Sequence, residues 1–493
     1  MKYKGSMTVF LSLILTIILA LVSASILSVK VAAGRAQIAN GMNQAMYSLF
    51  ARFDRDLEER YHLFFFDGGY RGQTLQPGKM LDMVEEDMSY ILAPNKESLL
   101  GGSNLLQLEQ AGAGITGYTL ATSLDNSVWK KQAVEYMKKA IGIQGIQGLL
   151  ERTLKNQIIT KEQEEASGAV KSGEAIDQYE GLQEAAKEAE TAPSTEETVD
   201  QEVTDVPKDF VNPLDTIQTL KKTSILQLVV KDKSQISGKK TDTSQFMSQR
   251  SVEPGMGYME EDAEINSTLN DMLFQEYLLE FCGNYLEPTR EAGLAYQAEY
   301  ILQGKDNDMG NLEGVVNKLL LMREAANTVF LYTDPARKGE AASIAATIST
   351  LLLMPEAAPV LEGILILAWA YAESLLDVRG LLAGKKVPLV KSTASWQLSL
   401  RNIPTMLTDM DALCKDNSSG MTYKDYLRVL LLLKSDAHKV STCMDMIENT
   451  VQHIVGREQF RWDVCVESME VEMQVRSEDR KTFTVTKRYG YNQ

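Results

Sequence analysis

The sequence predicts a mainly α-helical chain with a small C-terminal β element, an α+β arrangement carried on one long N-terminal helix. Three observations support this. Gly5 to Val29 is an uncharged apolar run, a helical stripe of apolar residues continues from it, and apolar and polar residues alternate strictly near the C-terminus. The 493 residues are enough for about two or three domains.

The first element lies in "MKYKGSMTVFLSLILTIILALVSASILSVK". Lys2 and Lys4 precede 25 uncharged residues rich in Leu, Ile and Val. That exceeds the roughly 20 residues a helix needs to cross a bilayer. A cleavable secretion signal has a shorter apolar centre, about 7–15 residues, and then a small-x-small site. Val22-Ser23-Ala24 offers such a site, with cleavage between Ala24 and Ser25, but the apolar run continues through Ile26, Leu27 and Val29. The favoured reading is a basic leader over residues 1–6 and a permanent transmembrane helix over residues 7–29, with the lipid bilayer as its partner. Lys30 and Arg35 after the span nearly balance the lysines before it, so the positive-inside rule gives little orientation. A short N-terminus and a long acidic remainder favour a single pass in the cell membrane, N-terminus cytoplasmic and bulk extracytoplasmic.

The second element is the stripe. Val31, Ile38, Met42, Met46, Leu49, Phe53, Leu57, Tyr61 and Phe64 recur at steps of 7, 4, 4, 3, 4, 4, 4 and 3, which marks one helix face. It predicts an amphipathic continuation over residues 30–66, stopped at Asp67-Gly68-Gly69 because glycine readily takes the left-handed conformation. Span and stripe together would be one rod of about 60 residues, roughly 90 Å long. Gly34 and Gly41 each cost about 1 kcal/mol in it and permit a bend.

Residues 67–160 read as a first extracytoplasmic helical region, with Trp129, Val134, Met137, Ile141 and Ile146 spaced along "SVWKKQAVEYMKKAIGIQGIQGLLERTLKNQ". The glycine-rich "AGAGITGYTL" lacks the G-x-x-x-x-G-K-[ST] spacing of a phosphate loop and reads as flexible or tightly packed glycine. Residues 161–209 read as an acidic low-complexity linker or frayed helix. From Lys161 to Phe210 there are 15 acidic and 4 basic residues, a net of −11 out of −17 for the chain. So little apolar surface cannot offset the entropy of ordering.

Residues 210–493 form the main extracytoplasmic region. "LDTIQTLKKTSILQLVVKD", "EINSTLNDMLFQEYLLEFCGNYL" and "LEGVVNKLLLMREAANTVFLYT" read as helices, as does "YKDYLRVLLLLKSDAHKVSTCMDMIENTVQHIV", with Thr422 as N-cap. Ala341 to Met354 is uncharged and raises a second span, but Pro355, Glu356, Glu362 and Glu373 interrupt the stretch. Charges at membrane depth are costly, so two buried helices are expected. "RWDVCVESMEVEMQVRS" and "KTFTVTKRYGYN" alternate around "EDRK" and predict a β-hairpin. A lone hairpin is marginal. Its edge must receive either an internal strand or a partner's.

Signs of chemistry are sparse. The net charge of −17 excludes a nucleic-acid surface. Cys282, Cys414, Cys443 and Cys465 contain no C-x-x-C pair, and with only His62, His438 and His453 no zinc spacing arises. Buried free thiols are favoured, with Cys414–Cys443 the pairing to consider if a disulfide forms. There is no G-x-S-x-G elbow, and His438 and His453 fall among polar helix neighbours. "GKDNDMGN" lacks the sixth-position glycine and twelfth-position acid of an EF-hand and reads as a turn with Asx residues bonding the backbone. Glu299 and Asp306 are a weak acid/base candidate. No catalytic residue, metal ligand, cofactor or small-molecule substrate is assigned.

A basic leader ending in glycine, then an apolar helix that continues as an amphipathic one, is similar to the prepilin and pseudopilin class, the Tad (tight adherence) minor pseudopilins above all. That resemblance implies peptidase cleavage after Gly5, leaving Ser6 first. The fifth mature position, usually glutamate in pilins, is Phe10 here. The pieces "GSMTVFLSLIL", "VAAGRAQIANGMNQAMYSLFARFDRDLEERYHLFFFD", "EYILQGKDNDMGNLEGVVNKLLLMREAANTVFLYTD", "AWAYAESLLDVRGLLAGKKVPLVKSTASWQL" and "YKDYLRVLLLL" resemble an uncharacterised family of Firmicutes membrane proteins, domain-of-unknown-function family 5702. The resemblance implies a part in a Tad-like secretion or pilus system, with other pilin-like or secretion-system membrane proteins as partners. Three classes of function stand open. They are a non-catalytic pilin-like structural or assembly component, an anchored envelope scaffold or binding module that does not polymerise, and an envelope hydrolase with an unrecognised site.

Overall fold

The computed structural model describes residues 4–92, 106–142, 145–148, 172–191, 210–257, 265–477 and 480–492. The architecture is mainly helical with one small antiparallel sheet. The chain divides into two compact units, each assembled from separated stretches: Met1–Tyr136 with Arg250–Asn266 and Ile454–Gln493, and Met137–Gln249 with Ser267–His453. The C-terminal strands therefore belong with the N-terminal helix, not with the helices that precede them.

In the first unit, α1 runs from Lys4 to Phe50. Its first half is bare. From Ile38 the stripe turns inward, and Ile38, Met42, Ala45, Met46, Leu49 and Phe50 are buried. The helix stops at Phe50 instead of residue 66. Phe53 pairs with Phe66 as an isolated bridge, and Asp54 caps a new short helix, α2 (Arg55–Tyr61), by accepting from the Leu57 N–H. A capping aspartate with Asp56 and Glu58 in the first turn suits a helix start. Leu57 and Tyr61 keep the stripe's burial on α2. Periodicity continued across a break because both helices face one core.

That core closes with α3 (Pro77–Leu92), whose Met80, Val84, Met88 and Leu92 form an i, i+4 row. Gly41 makes the approach of α1 and α3 possible, since a Cβ there would sit 3.0 Å from both Met88 Sδ and Ile91 Cγ2. Under it lies the sheet of β1 (Phe66–Asp67), β2 (Glu109–Leu120), β3 (Cys465–Arg476) and β4 (Thr482–Gly490). β3 is central. Val466 pairs with both Leu120 and Phe66, and Met473 with both Ala113 and Val485. So β2 covers one edge of β3, and β1 and β4 share the other. Met469, Val471, Met473 and Val475 alternate onto the buried face.

The hairpin is thus present, and an internal strand occupies its edge. That strand is the glycine-rich stretch, so residues 67–160 are not wholly helical. Gly117 is where the backbone of Met256 comes close: a Cβ would lie 3.0 Å from the Met256 carbonyl oxygen, beside a two-way Tyr118–Met256 backbone pair at 2.9 Å. Register shifts between Gln110 and Gly112 and between Ile115 and Gly117 are the irregularities glycine permits in a strand. Residues 127–142 form α4, and its Trp129 meets Trp462 edge-on at 6.1 Å.

The second unit is helical. Part of the expected linker is the helix α5 (Ser172–Thr191), which buries Ala175, Ile176 and Tyr179. Tyr179 O–H also receives bonds from Asn212 and Gln183. Three apolar residues on one face were enough for docking where composition argued for solvation; the rest of residues 161–209 lies outside the described residues. Next come α6 (Pro213–Lys222) and α7 (Ile225–Val229), which divide a predicted single helix. They are followed by α8 (Thr268–Phe281), α9 (Gln297–Gln303), α10 (Asp308–Thr333), α11 (Pro335–Leu351), α12 (Ala358–Leu382) and α13 (Met406–Leu413). The last two are α14 (Tyr423–Leu432) and α15 (Asp436–Gln452), split at Leu433–Ser435 where one long helix was expected. Thr422 caps α14 in a reciprocal box with Asp425. The apolar stretch after Pro355 is 72% buried over its most apolar window, so α12 is the central helix of this unit, not a second crossing.

The two glycines of α1 should behave oppositely. Gly41→Val should destabilise the detergent-solubilised chain by about 1–3 kcal/mol in thermal unfolding through overpacking. At Gly34 the nearest atom to a new Cβ is 3.9 Å away, so Gly34→Ala should be neutral or stabilising by up to about 1 kcal/mol.

Candidate functional site

The feature that faces outward is the bare half of α1. None of its apolar window is buried, and the large side chains from Met7 to Val29 stand exposed, Leu21 and Val29 each at 67%. Twenty-three helical residues, 7 to 29, rise about 34 Å, which matches a hydrocarbon core of about 30 Å. Inside lipid every polar group must be satisfied within the segment. Ser12, Thr16 and Ser25 meet that demand by donating to the carbonyls of Val9, Ser12 and Leu21, each at 2.8 Å. An N-terminal helix long and apolar enough to span a membrane is therefore present.

The residues considered for processing all lie on this helix. Gly5 and Ser6 fall in its first turn, while Ala24 and Ser25 sit within it, without a break in the backbone. Phe10 is exposed.

The strongest chemistry is buried in the second unit. Arg323 and Asn327 on α10 meet Glu373, Ser374 and Asp377 on α12 and Lys391 from the following loop. Lys391 Nζ lies 2.6 Å from Glu373 Oε1 and 2.8 Å from Asp377 Oδ1, while Arg323 donates to Asp377 Oδ2 at 3.1 Å. Arg323 also donates to the Leu389 carbonyl and the Tyr426 hydroxyl. Gln397 and Leu398 N–H groups complete Glu373 at 3.0 and 2.9 Å. Two cations thus face two carboxylates. Burial pushes the Glu373 carboxyl up, against the pull of Lys391. Burial also raises Asp377, but Lys391 and Arg323 outweigh it and hold that carboxyl below its usual range. Arg323, Glu373 and Asp377 are wholly inaccessible and Lys391 nearly so, so the arrangement clamps α10, α12 and their loops without presenting a surface to a substrate.

Its members were not singled out from sequence as a set. Glu373 registered only as a charge that interrupts an apolar run. Its partner Lys391 lies 18 residues on, and Arg323 lies 54 residues before Asp377, spacings no local motif covers. The usable signal was that charges embedded in apolar stretches need partners.

The other candidates are placed as follows. "GKDNDMGN" is the turn between α9 and α10. Gly304 has φ +72° and Asn307 accepts from Gly310 N–H at 2.7 Å. Asp308 accepts from the Ala295 and Tyr296 N–H groups and the Ser237 hydroxyl. Glu299 and Asp306 are not brought together as a pair. Glu299 is buried and accepts from Tyr285 N–H at 2.8 Å and Tyr423 O–H at 2.7 Å, whereas Asp306 faces Lys240 at 3.0 Å. All four cysteines are free and buried. The neighbour of Cys443 is Cys282, Sγ to Sγ 3.6 Å, while Cys414 Sγ points to the Leu376 carbonyl. Burial pushes the Cys414 thiol up to about 11. His438 and His453 engage helix carbonyls, of Ile301 and Asn449, and His62 stacks on Tyr136 at 4.4 Å. Among the described residues no group of three or more His, Cys, Asp or Glu is arranged to hold a metal ion.

Two outcomes follow from the buried charges. Lys391→Met leaves Glu373 without a cation and Asp377 with Arg323 alone, and should cost about 3–5 kcal/mol in chemical unfolding; adding Glu373→Gln should recover part of it. Burial also raises Glu299 to about 7 from its usual 4.5. The folded state therefore holds this proton more tightly than the unfolded chain. Its stabilising contribution is complete below about pH 4.5 and is lost as pH rises through about 7, up to about 3 kcal/mol. Glu299→Gln should flatten that fall when Tm is followed from pH 4.5 to 8 beside the parent chain.

No curated protein and no solved structure matches the chain. The family of unknown function DUF5702 matches residues 202–477, more than half of the 493. The matched stretch contains every member of the buried ion cluster and the central strand β3. On that match the chain belongs to the family of unknown function DUF5702.

Proposed function

We propose that this chain is a single-pass, membrane-anchored, non-catalytic and pilin-like structural or assembly component of a Tad-like cell-surface secretion or pilus system. One observation carries the reading. A single uninterrupted helix is bare and apolar over residues 7–29, and its other half, from Ile38 to Phe50, is built into the core of the first unit. Anchor and head are thus one rigid element. A displacement of the helix in lipid, or its packing against neighbouring apolar helices, reaches the folded head without a slack linker. The charge-free surface of the bare half suits both bilayer and helix neighbours, where close packing and not the hydrophobic effect drives association. N-terminus cytoplasmic and bulk extracytoplasmic is the orientation proposed with it.

Phe10 favours a second reading, an anchored scaffold that does not polymerise, because the glutamate usual at that place in pilins is missing. An envelope hydrolase has the least support. Its candidate acids, Glu299 and Asp306, are engaged separately, Glu299 by Tyr423 in the core and Asp306 by Lys240.

N-terminal sequencing of the chain from alkali-washed native membranes separates the readings. A start at Ser6 supports the pilin-like component and an intact Met1 the scaffold, while a soluble chain starting at Ser25 overturns both. Leu15→Arg with Leu19→Arg should abolish membrane retention, since each arginine costs about 2.5–3.5 kcal/mol near a span's centre.

A further inference from the structure

The first unit fixes what lies level with the end of the bare helix. At its far end, α1 meets the end of β4: Tyr47 packs on Tyr489 at 6.1 Å and Phe50 on Tyr491 at 5.3 Å. At its near end, Lys30, Val31 and Gly34 share a small cleft with Leu108, Lys481 and Phe483. From Lys30 to Phe50 a helix rises about 30 Å, and from Lys481 to Tyr491 a strand spans about 33 Å. The two elements run side by side over the same length. Lys481, just before β4, is therefore held level with Lys30, the residue at which the lipid-compatible surface ends.

The composition there is that of a headgroup layer. Lys30 and Lys481 both line the cleft, with Phe483 and Leu108, and Arg476 and Arg480 stand close by in sequence. No ion pair joins Lys30 or Lys481 to a carboxylate among the described residues. Glu109 is the register partner of Arg476, and Glu478 and Asp479 stand in the turn by sequence. The four basic residues thus exceed the three acidic ones by one, in a chain whose net charge is −17. The cleft's volume of about 20 Å³ is close to one water-sized group. It can seat a phosphate oxygen at its mouth but not a whole small molecule.

We propose that the Lys481 end of β4 rests in the lipid headgroup layer and that Lys30 and Lys481 together hold the phosphate of an anionic phospholipid of the membrane that α1 spans. This deepens the anchor reading and rests on it. The aromatic ring and aliphatic stems settle among the upper acyl carbons while the ammonium groups meet the phosphates.

The test uses the full chain in vesicles of equal phosphatidylcholine and phosphatidylglycerol, with bromine on one lipid or the other. A fluorophore is placed on Thr482→Cys or, about 13 Å farther along β4, on Thr486→Cys. Both positions are exposed and the four native cysteines are buried. The label at residue 482 should be quenched and that at 486 spared. Brominated phosphatidylglycerol should quench more strongly, by up to about five-fold per lysine, the equivalent of roughly 1 kcal/mol for each basic residue at an anionic surface. Lys30→Gln with Lys481→Gln should equalise the two lipids, and added inorganic phosphate should change nothing. An unquenched residue 482 in a chain that floats with the vesicles overturns this proposal and leaves the anchor standing. So does equal quenching by both lipids in the parent chain, or competition by inorganic phosphate. A chain that does not float with the vesicles overturns both readings.

Discussion

Everything in the first unit depends on α1 carrying two different surfaces, one bare and one packed. The 23 positions from Met7 to Val29 have nothing of the protein packed against them, and the last thirteen, from Ile38, are a wall of the core. A helix meets both conditions only if it is apolar all round at one end and striped at the other. The sheet and α3 then have no freedom in where they sit: they must cover the stripe and stop short of the bare surface. Gly41 and the row Met80, Val84, Met88 and Leu92 are the local means of covering it.

The second unit solves a different problem. α12 is apolar enough to pass for a membrane span, with a mean hydropathy of 1.4 against 2.7 for α1, yet most of it is buried in protein. Glu373 and Asp377, one turn apart, accept Lys391 and Arg323 inside that environment. The arrangement is costly, because charges taken from water regain their solvation only through good partners. It also specifies, because Arg323 and Lys391 fit only one register of α10 and the loop against α12. The same carboxylates make α12 a poor candidate for lipid.

Where the fold was legible, the signal was local. The apolar run, the stripe through Phe50, the C-terminal alternation and the Thr422 cap each depend on residues within a few turns or one strand. Where it was not, the cause lay far along the chain. β2 was obscured because its glycines are disfavoured in strands unless a neighbour needs the space, and that neighbour, Met256, is more than a hundred residues away. The stop at Phe50 was masked because Leu57 and Tyr61 of α2 return to the rhythm of α1. α5 carries only three buried apolar side chains in an acidic stretch, below what composition can reveal. The ion cluster escaped for the same reason as β2: its pairs are set by packing and not by spacing.

The position of β3 bears on how the molecule is made. Thr116 on β2 bonds Glu470 on β3 across 354 residues of chain, and among the described residues β3 is the only strand that touches the other three. During synthesis from the N-terminus, α1 and α3 exist long before the strand that seals them. For that interval their methionine-rich faces stay open to water, to proteases and to one another's copies. Biogenesis of this chain therefore has a vulnerable stage whose length is set by the time needed to translate the whole helical unit.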